Sequence, residues 1–231
     1  MSRPDRAVSE APRFLHYPGV LAADECARWV RGAYEARADW TPCFEGVQFT
    51  LGRAYYTHLE EGRAGEYFAR ARASDASVER ALPGMQARVR ALLADLVGAP
   101  VVPRAGWCGP GLHVFPAHGW LACRGGDTHF DTEGLLPQEL AARRPALSAI
   151  VMLQPPHRGG GLRVWDALYD GEDEVTDAHA IASDLVDYGP GDLVVIDSYR
   201  LHQSQPFEGS RDRVSITAHL VLGEGRWNSW F

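Results

Sequence analysis

The chain has 231 residues, 45% of them hydrophobic, which is long enough for one buried core and short for two. Its formal charge of -7 and pI near 5.7 exclude the clustered cations that a nucleic-acid backbone requires. All 23 cationic side chains are arginine, so Schiff-base, pyridoxal-phosphate and P-loop chemistry, each dependent on a lysine amine, are excluded as well.

The N-terminus, MSRPDRAVSEAPRF, has no apolar segment of the signal-peptide kind, and no later run reaches the roughly 18 apolar residues of a membrane span. The expectation is a cytoplasmic protein without a membrane partner. Cys26, Cys43, Cys108 and Cys123 form no CxxC pair and are expected as reduced thiols. From Asp24 onward Cys26, Trp29, Val30, Ala33 and Tyr34 recur at helical spacing, which predicts an amphipathic helix over about residues 24–37. A second helix follows Pro83, expected in its first turn. Met85, Val89, Leu92, Leu93 and Leu96 make its apolar face, and Gly98 and Pro100 stop it. Between the two, residues 51–68 (LGRAYYTHLEEGRAGEYF) are aromatic and polar at once.

After residue 100 the chain turns to short apolar runs between glycines and prolines: 147–153, 161–165, 192–197 and 214–222. These read as strands of an antiparallel sandwich or barrel. The segment 119–124 (GWLACR) reads as a further strand. With no internal repeat and no linker, the fold class expected is α+β, mainly β. Residues 1–231 form a single domain in which 1–100 supply helical support and a substrate-side segment and 101–231 the β core.

The chemistry concentrates in GGDTHFDTEG, where His129 and Asp131 stand two apart after a Gly-Gly turn. In extended backbone such residues project from one face roughly 6–7 Å apart, so an imidazole and a carboxylate can converge on one ion. His202, in DSYRLHQSQPF, is the leading third ligand. Two histidines and a carboxylate make a facial triad that leaves iron positions open. Eleven residues later Arg213 shares a strand face with Ser215 and Thr217. A guanidinium with a serine two residues on is suited to anchoring a carboxylate. Strand alternation alone does not separate Arg213 from Arg211, nor Glu133 from Asp131 as the carboxylate ligand. His113, His118, His157 and His219 are expected as structural, although His219 shares the Arg213 face.

HxD, a distal histidine after PGDLxxxDSxxxH, and then RxS together resemble the signature of the iron(II)- and 2-oxoglutarate-dependent oxygenases over about residues 107–222. The resemblance implies a double-stranded β-helix of jelly-roll, cupin-like type. It implies iron held by His129, Asp131 and His202, with 2-oxoglutarate held by Arg213 and Ser215. Dioxygen would be consumed, succinate and carbon dioxide released, and a substrate oxidised. Where many members carry a tyrosine that touches 2-oxoglutarate, this chain has Trp120 to Arg124, so that second contact is unassigned. Halogenases resembling this group have glycine or alanine where Asp131 stands, so hydroxylation is favoured over halogenation. A weaker likeness joins GRAYYTHLEEGRAGEYF to the N-terminal segment of oxygenases and halogenases that act on free amino acids. It implies Arg53 or Arg63 as partners of a substrate carboxylate and Tyr55, Tyr56, Trp227 and Trp230 as pocket walls. Thr217 and His219 are further substrate-side candidates. The substrate class this leaves is a small metabolite, such as an amino acid or natural-product intermediate, free or on a carrier protein. The competing readings are a cupin-type metalloenzyme that does not use 2-oxoglutarate and a non-catalytic ligand-binding barrel.

Overall fold

Alternation along VSITAHLVL decides how the molecule is layered. Successive strand residues point to opposite faces, and here both faces are buried: Val214, Ile216, Ala218 and Leu220 enter one apolar core, while Arg213, Ser215, Thr217 and His219 face a cavity on the other side. The computed structural model describes residues 12–173 and 175–231; the stretch MSRPDRAVSEA, read above for a leader, lies outside them.

In chain order the strands are β1 (Leu15–Tyr17), β2 (Thr41–Cys43), β3 (Gln48–Leu51), β4 (Val101–Pro103), β5 (Gly111–Phe115), β6 (Ala146–Gln154), β7 (Arg158–Gly159), β8 (Leu162–Leu168), β9 (Ser183–Val186), β10 (Leu193–Asp197), β11 (Arg200–Ser204), β12 (Phe207–Glu208), β13 (Arg213–Leu222) and β14 (Trp227–Trp230). The helices are α1 (Ala23–Glu35), α2 (Tyr55–Glu60), α3 (Ala64–Ala81), α4 (Met85–Val97), α5 (Trp120–Arg124) and α6 (Pro137–Ala141). The chain is thus mainly β with a few helices.

A nine-stranded sheet runs β1-β10-β6-β13-β5-β3-β2 and is antiparallel throughout this path. β13 is its axis, flanked by β6 along one edge and by β5 and then β14 along the other; β4 joins β14 in parallel. A smaller antiparallel sheet, β11-β8-β9, and the β12-β7 pair make the opposing wall. The outer face of the large sheet is closed by helices. Trp29 and Cys26 of α1, Val78 of α3 and Val89 and Leu93 of α4 pack with Leu51, Val114, Val151, Val195 and Ile216.

Three local readings are corrected. Residues 120–124 form α5 and not a strand: they contain no β-branched residue, and the N–H groups of Cys123 and Gly125 donate back to Gly119 and Leu121 as in a helix. α4 starts at Met85, beyond Pro83, because Gly84 lies between them with φ +75°. The polar, aromatic 51–68 segment leads into an 18-residue helix, α3, whose buried positions Tyr67, Ala71, Ser74 and Val78 follow helical spacing. Two of those four are small, so the apolar stripe is faint in sequence. Among the described residues no helix is long and apolar enough to cross a membrane.

Because Ile216 is fully buried between sheet and helices, Ile216→Ala should cost about 2–5 kcal/mol in urea denaturation. A loss below about 1 kcal/mol would contradict the central position given to β13.

Candidate active site

The segment that carries HxD leaves α5 at Gly125, whose φ of +78° turns the chain, and then runs extended along β11. The N–H of Gly126 donates to the Ser204 carbonyl (2.9 Å) and that of Asp131 to Ser198 (2.9 Å). Between these, His129 and His202 exchange reciprocal backbone hydrogen bonds of 3.0 Å each. This pairing sets the two imidazoles side by side, with ring centroids 4.3 Å apart. Asp131 completes the set: one oxygen lies 3.5 Å from His129 Nε2 and the other 3.4 Å from His202 Nε2.

Both rings are fixed from behind. His129 Nδ1 donates to the Asp127 carbonyl (2.8 Å) and His202 Nδ1 to the Arg200 carbonyl (3.0 Å), and because a carbonyl only accepts, Nε2 is in both rings the nitrogen that faces Asp131. The potential ligand atoms of the three residues lie within 4.8 Å of one another, a donor set suited to one divalent ion. Glu133 lines the same cavity but falls outside this set. A further imidazole, His219, is 3.8 Å from Asp131 through Nδ1, which also meets the Ser148 hydroxyl at 3.1 Å.

The electrostatics follow from one carboxylate among imidazoles. Burial would raise the Asp131 carboxyl, but the charges of His202, His219 and His129 hold it well below the usual carboxylate range. Desolvation lowers His129, yet its hydrogen bond and charge contact with Asp131 prevail and lift it to about 9. His202 goes the other way, held down to about 4 by burial and the adjacent His129 despite Asp131. The proton that balances the Asp131 carboxylate is therefore favoured on His129 over His202.

These groups open into a cavity of about 430 Å³ between the large sheet and the β8/β11 wall, within the size range of small-molecule sites. Arg213 lines it and is only 3% exposed. Its Nε donates to the Gly160 carbonyl (3.0 Å) and its Nη1 to Ser215 Oγ (3.1 Å), while its guanidinium lies over Phe115 and Tyr188 at 5.1 and 5.6 Å. No carboxylate pairs with it among the described residues. A buried guanidinium without a counter-ion is costly, so an anion is the natural missing partner. Arg211 is exposed and donates to the Pro156 carbonyl away from this cavity.

Of the other residues singled out in the sequence, Tyr56, Thr217 and His219 line the cavity. The rest do not. Arg53 is engaged by Glu66 and His58, and Arg63 by Glu61 and Glu66. Tyr55 packs with Tyr67, Phe68 and Trp107; Trp227 packs against the helical core; Trp230 is buried behind His219, ring centroids 5.7 Å apart. Those aromatics fill volume between elements because they offer large apolar area. Sequence reading missed His113, expected as structural, which lines the cavity from β5. It also missed Glu60 on α2 and Trp120 on α5, where no helix was assigned, and Tyr188, whose ring backs the Arg213 guanidinium from outside the lining.

No family model and no curated protein matches this sequence. Several solved structures share its fold. AviO1 from Streptomyces viridochromogenes Tue57 is 18% identical with a TM-score of 0.58, over 92% of this chain and 90% of that one. A novel N-substituted L-amino acid dioxygenase from Burkholderia ambifaria AMMD is 14% identical with a TM-score of 0.59, over 95% and 86%. The non-haem alpha-ketoglutarate-dependent epimerase SnoN from nogalamycin biosynthesis is 18% identical with a TM-score of 0.55, over 90% and 76%. SnoN has been crystallised with Fe3+, alpha-ketoglutarate and nogalamycin RO, and the dioxygenase with alpha-ketoglutarate. At these identities the likeness is one of fold, and the His129, Asp131 and His202 set fits the HxD…H motif.

A divalent ion must displace the His129 proton, so about one proton should be released per ion bound near pH 7.5, and affinity should rise about tenfold per pH unit towards pH 9 and then level off. Titration of Mn(II) into metal-free protein in weakly buffered indicator dye measures this; release of no proton would contradict the charge state given to the triad.

Proposed function

We propose that this chain is a non-haem iron(II)- and 2-oxoglutarate-dependent oxygenase acting on a small molecule, built as one domain on a double-stranded β-helix. The observation that carries the proposal is the buried, unpaired Arg213 guanidinium in the same cavity as a convergent two-histidine, one-carboxylate set. A cupin-type enzyme without this co-substrate, or a barrel that only binds a ligand, has no use for both together.

In this reading His129 Nε2, His202 Nε2 and an Asp131 oxygen hold the iron, and the backbone carbonyls of Asp127 and Arg200 keep the imidazoles oriented. Arg213 binds the distal carboxylate of 2-oxoglutarate, with Ser215 keeping the guanidinium in place. Tyr188 supports that guanidinium with its ring, 5.6 Å away, from behind the cavity lining. Iron(II), 2-oxoglutarate and dioxygen together supply the oxidising chemistry, with succinate and carbon dioxide released. Because Asp131 keeps a carboxylate where chloride would have to enter, the outcome proposed is hydroxylation or a related oxidation and not halogenation. The apolar walls Ile150, Leu162 and Phe207 exclude water around the reacting centre.

Anaerobic addition of 2-oxoglutarate to the iron(II)-loaded protein should produce a metal-to-ligand charge-transfer band. His202→Ala should abolish it. Arg213→Ala should weaken 2-oxoglutarate binding by about 30-fold or more, the loss of one partner of a buried charged pair. An unchanged affinity in Arg213→Ala would remove the basis of the proposal.

A further inference from the structure

The cavity has more negative charge than iron and co-substrate account for. Of its carboxyl and guanidinium side chains, Asp131 belongs to the metal set and Arg213 to the co-substrate. That leaves the carboxyls of Glu60, Asp127 and Glu133, the first two exposed to solvent and Glu133 half-buried, and no ion pair to any of the three is formed among the described residues. The two arginines that would have suited a substrate carboxylate, Arg53 and Arg63, are paired with Glu66 and Glu61 and do not line the cavity. Arg213 is the one guanidinium that does, among the described residues.

Two further observations bear on the same wall. His113 is 5% exposed, lines the cavity, and its Nδ1 makes no hydrogen bond, so a polar group is missing there. Its ring lies 5.8 Å from that of Tyr56, and Tyr56 and Glu60 stand four apart on α2, on one helical face that meets the cavity. Phe44 lies beside Tyr56 with ring centroids 6.3 Å apart, and Trp120 closes the rim. Aromatic faces next to carboxylates are a surrounding that attracts an organic cation and repels an anion.

Resting on the oxygenase reading of the site, we propose that the substrate carries an ammonium group, held by Glu60 and Glu133 against the aromatic wall, and presents no carboxylate to this end of the cavity. The amine is recognised as a charge among carboxylates, while the carbon to be oxidised lies towards the triad. The expectation drawn from the weaker amino-acid likeness, a substrate carboxylate on Arg53 or Arg63, is replaced by its electrostatic opposite.

Three probes of one shape and different charge test this: benzylamine, benzyl alcohol and benzoate. Equilibrium dialysis should be run on the full chain, both metal-free and loaded with iron(II) and 2-oxoglutarate under anaerobic conditions. Benzylamine should bind about tenfold more tightly than benzyl alcohol, and benzoate more weakly than either. The double variant Glu60→Gln/Glu133→Gln should erase the preference for the amine while benzyl alcohol binding and the charge-transfer band with 2-oxoglutarate persist. Equal or tighter binding of benzoate overturns the inference, as does an amine preference that survives in the double variant, or no binding of benzylamine when the band forms normally. Absence of the band in the unaltered protein would instead defeat the oxygenase reading, and the charge preference measured on the metal-free chain would still decide this one.

Discussion

The reciprocal backbone pair between His129 and His202 is the contact on which the rest of the site depends. Neither histidine is near the other in sequence, and neither could hold its ring in place alone. Two hydrogen bonds of 3.0 Å join an extended segment to β11, and the alternation of side chains then puts both rings on the cavity side. Each Nδ1 is tied to a carbonyl of its own segment, two residues earlier in both cases. The same local geometry, used twice, aims two Nε2 atoms at one carboxylate. A ligand set arranged in this way is held by backbone, which is stiffer than a set held by side-chain packing alone.

The second constraint is the burial of β13 on both faces. Most strands of an antiparallel sheet face water on one side. Here the helices α1, α3 and α4 close one face, and the cavity behind the small sheet takes the other. Polar residues on an interior strand face are costly unless they are paired, and Arg213, Ser215, Thr217 and His219 all stand on that face. Ser215 pairs with Arg213 and His219 with Ser148, but the guanidinium charge itself stays uncompensated. Among the polar residues on this face of β13, the Arg213 guanidinium is the one buried charge with no carboxylate beside it among the described residues.

Charge also organises the cavity from end to end. Arg213 provides the positive end. The triad, one carboxylate between two imidazoles with His219 close by, is the middle, where the histidines hold the Asp131 carboxyl low and Asp131 holds His129 high. Glu60 and Glu133 make the acidic end, and burial together with the Asp131 charge pushes Glu133 up to about 7. Such a gradient orients a bound molecule before any close contact forms.

Much of this was legible in the sequence. The strands at 147–153, 192–197 and 214–222 announce themselves through runs of branched apolar residues, and HxD with a distal histidine and RxS names its own chemistry, because few residue types bind a divalent ion and their spacing on a strand is strict. What sequence could not decide was which rivals share a space. Arg211 and Arg213 have the same strand parity, and only the packing of β13 against β5 and the small sheet buries one and exposes the other. Residues 119–124 read as a strand, but over so short a run tertiary context chose a helix that puts Trp120 at the cavity rim. The residues around the triad were the least legible, since Glu60, His113 and Trp120 come from α2, β5 and α5 and line one cavity only when the sheets face each other. Local chemistry singled out His129, Asp131 and His202 as candidate ligands, with Glu133 still a rival; long-range packing alone determined what surrounds them, because a cavity is a property of elements that meet in space and leaves no periodic mark along the chain.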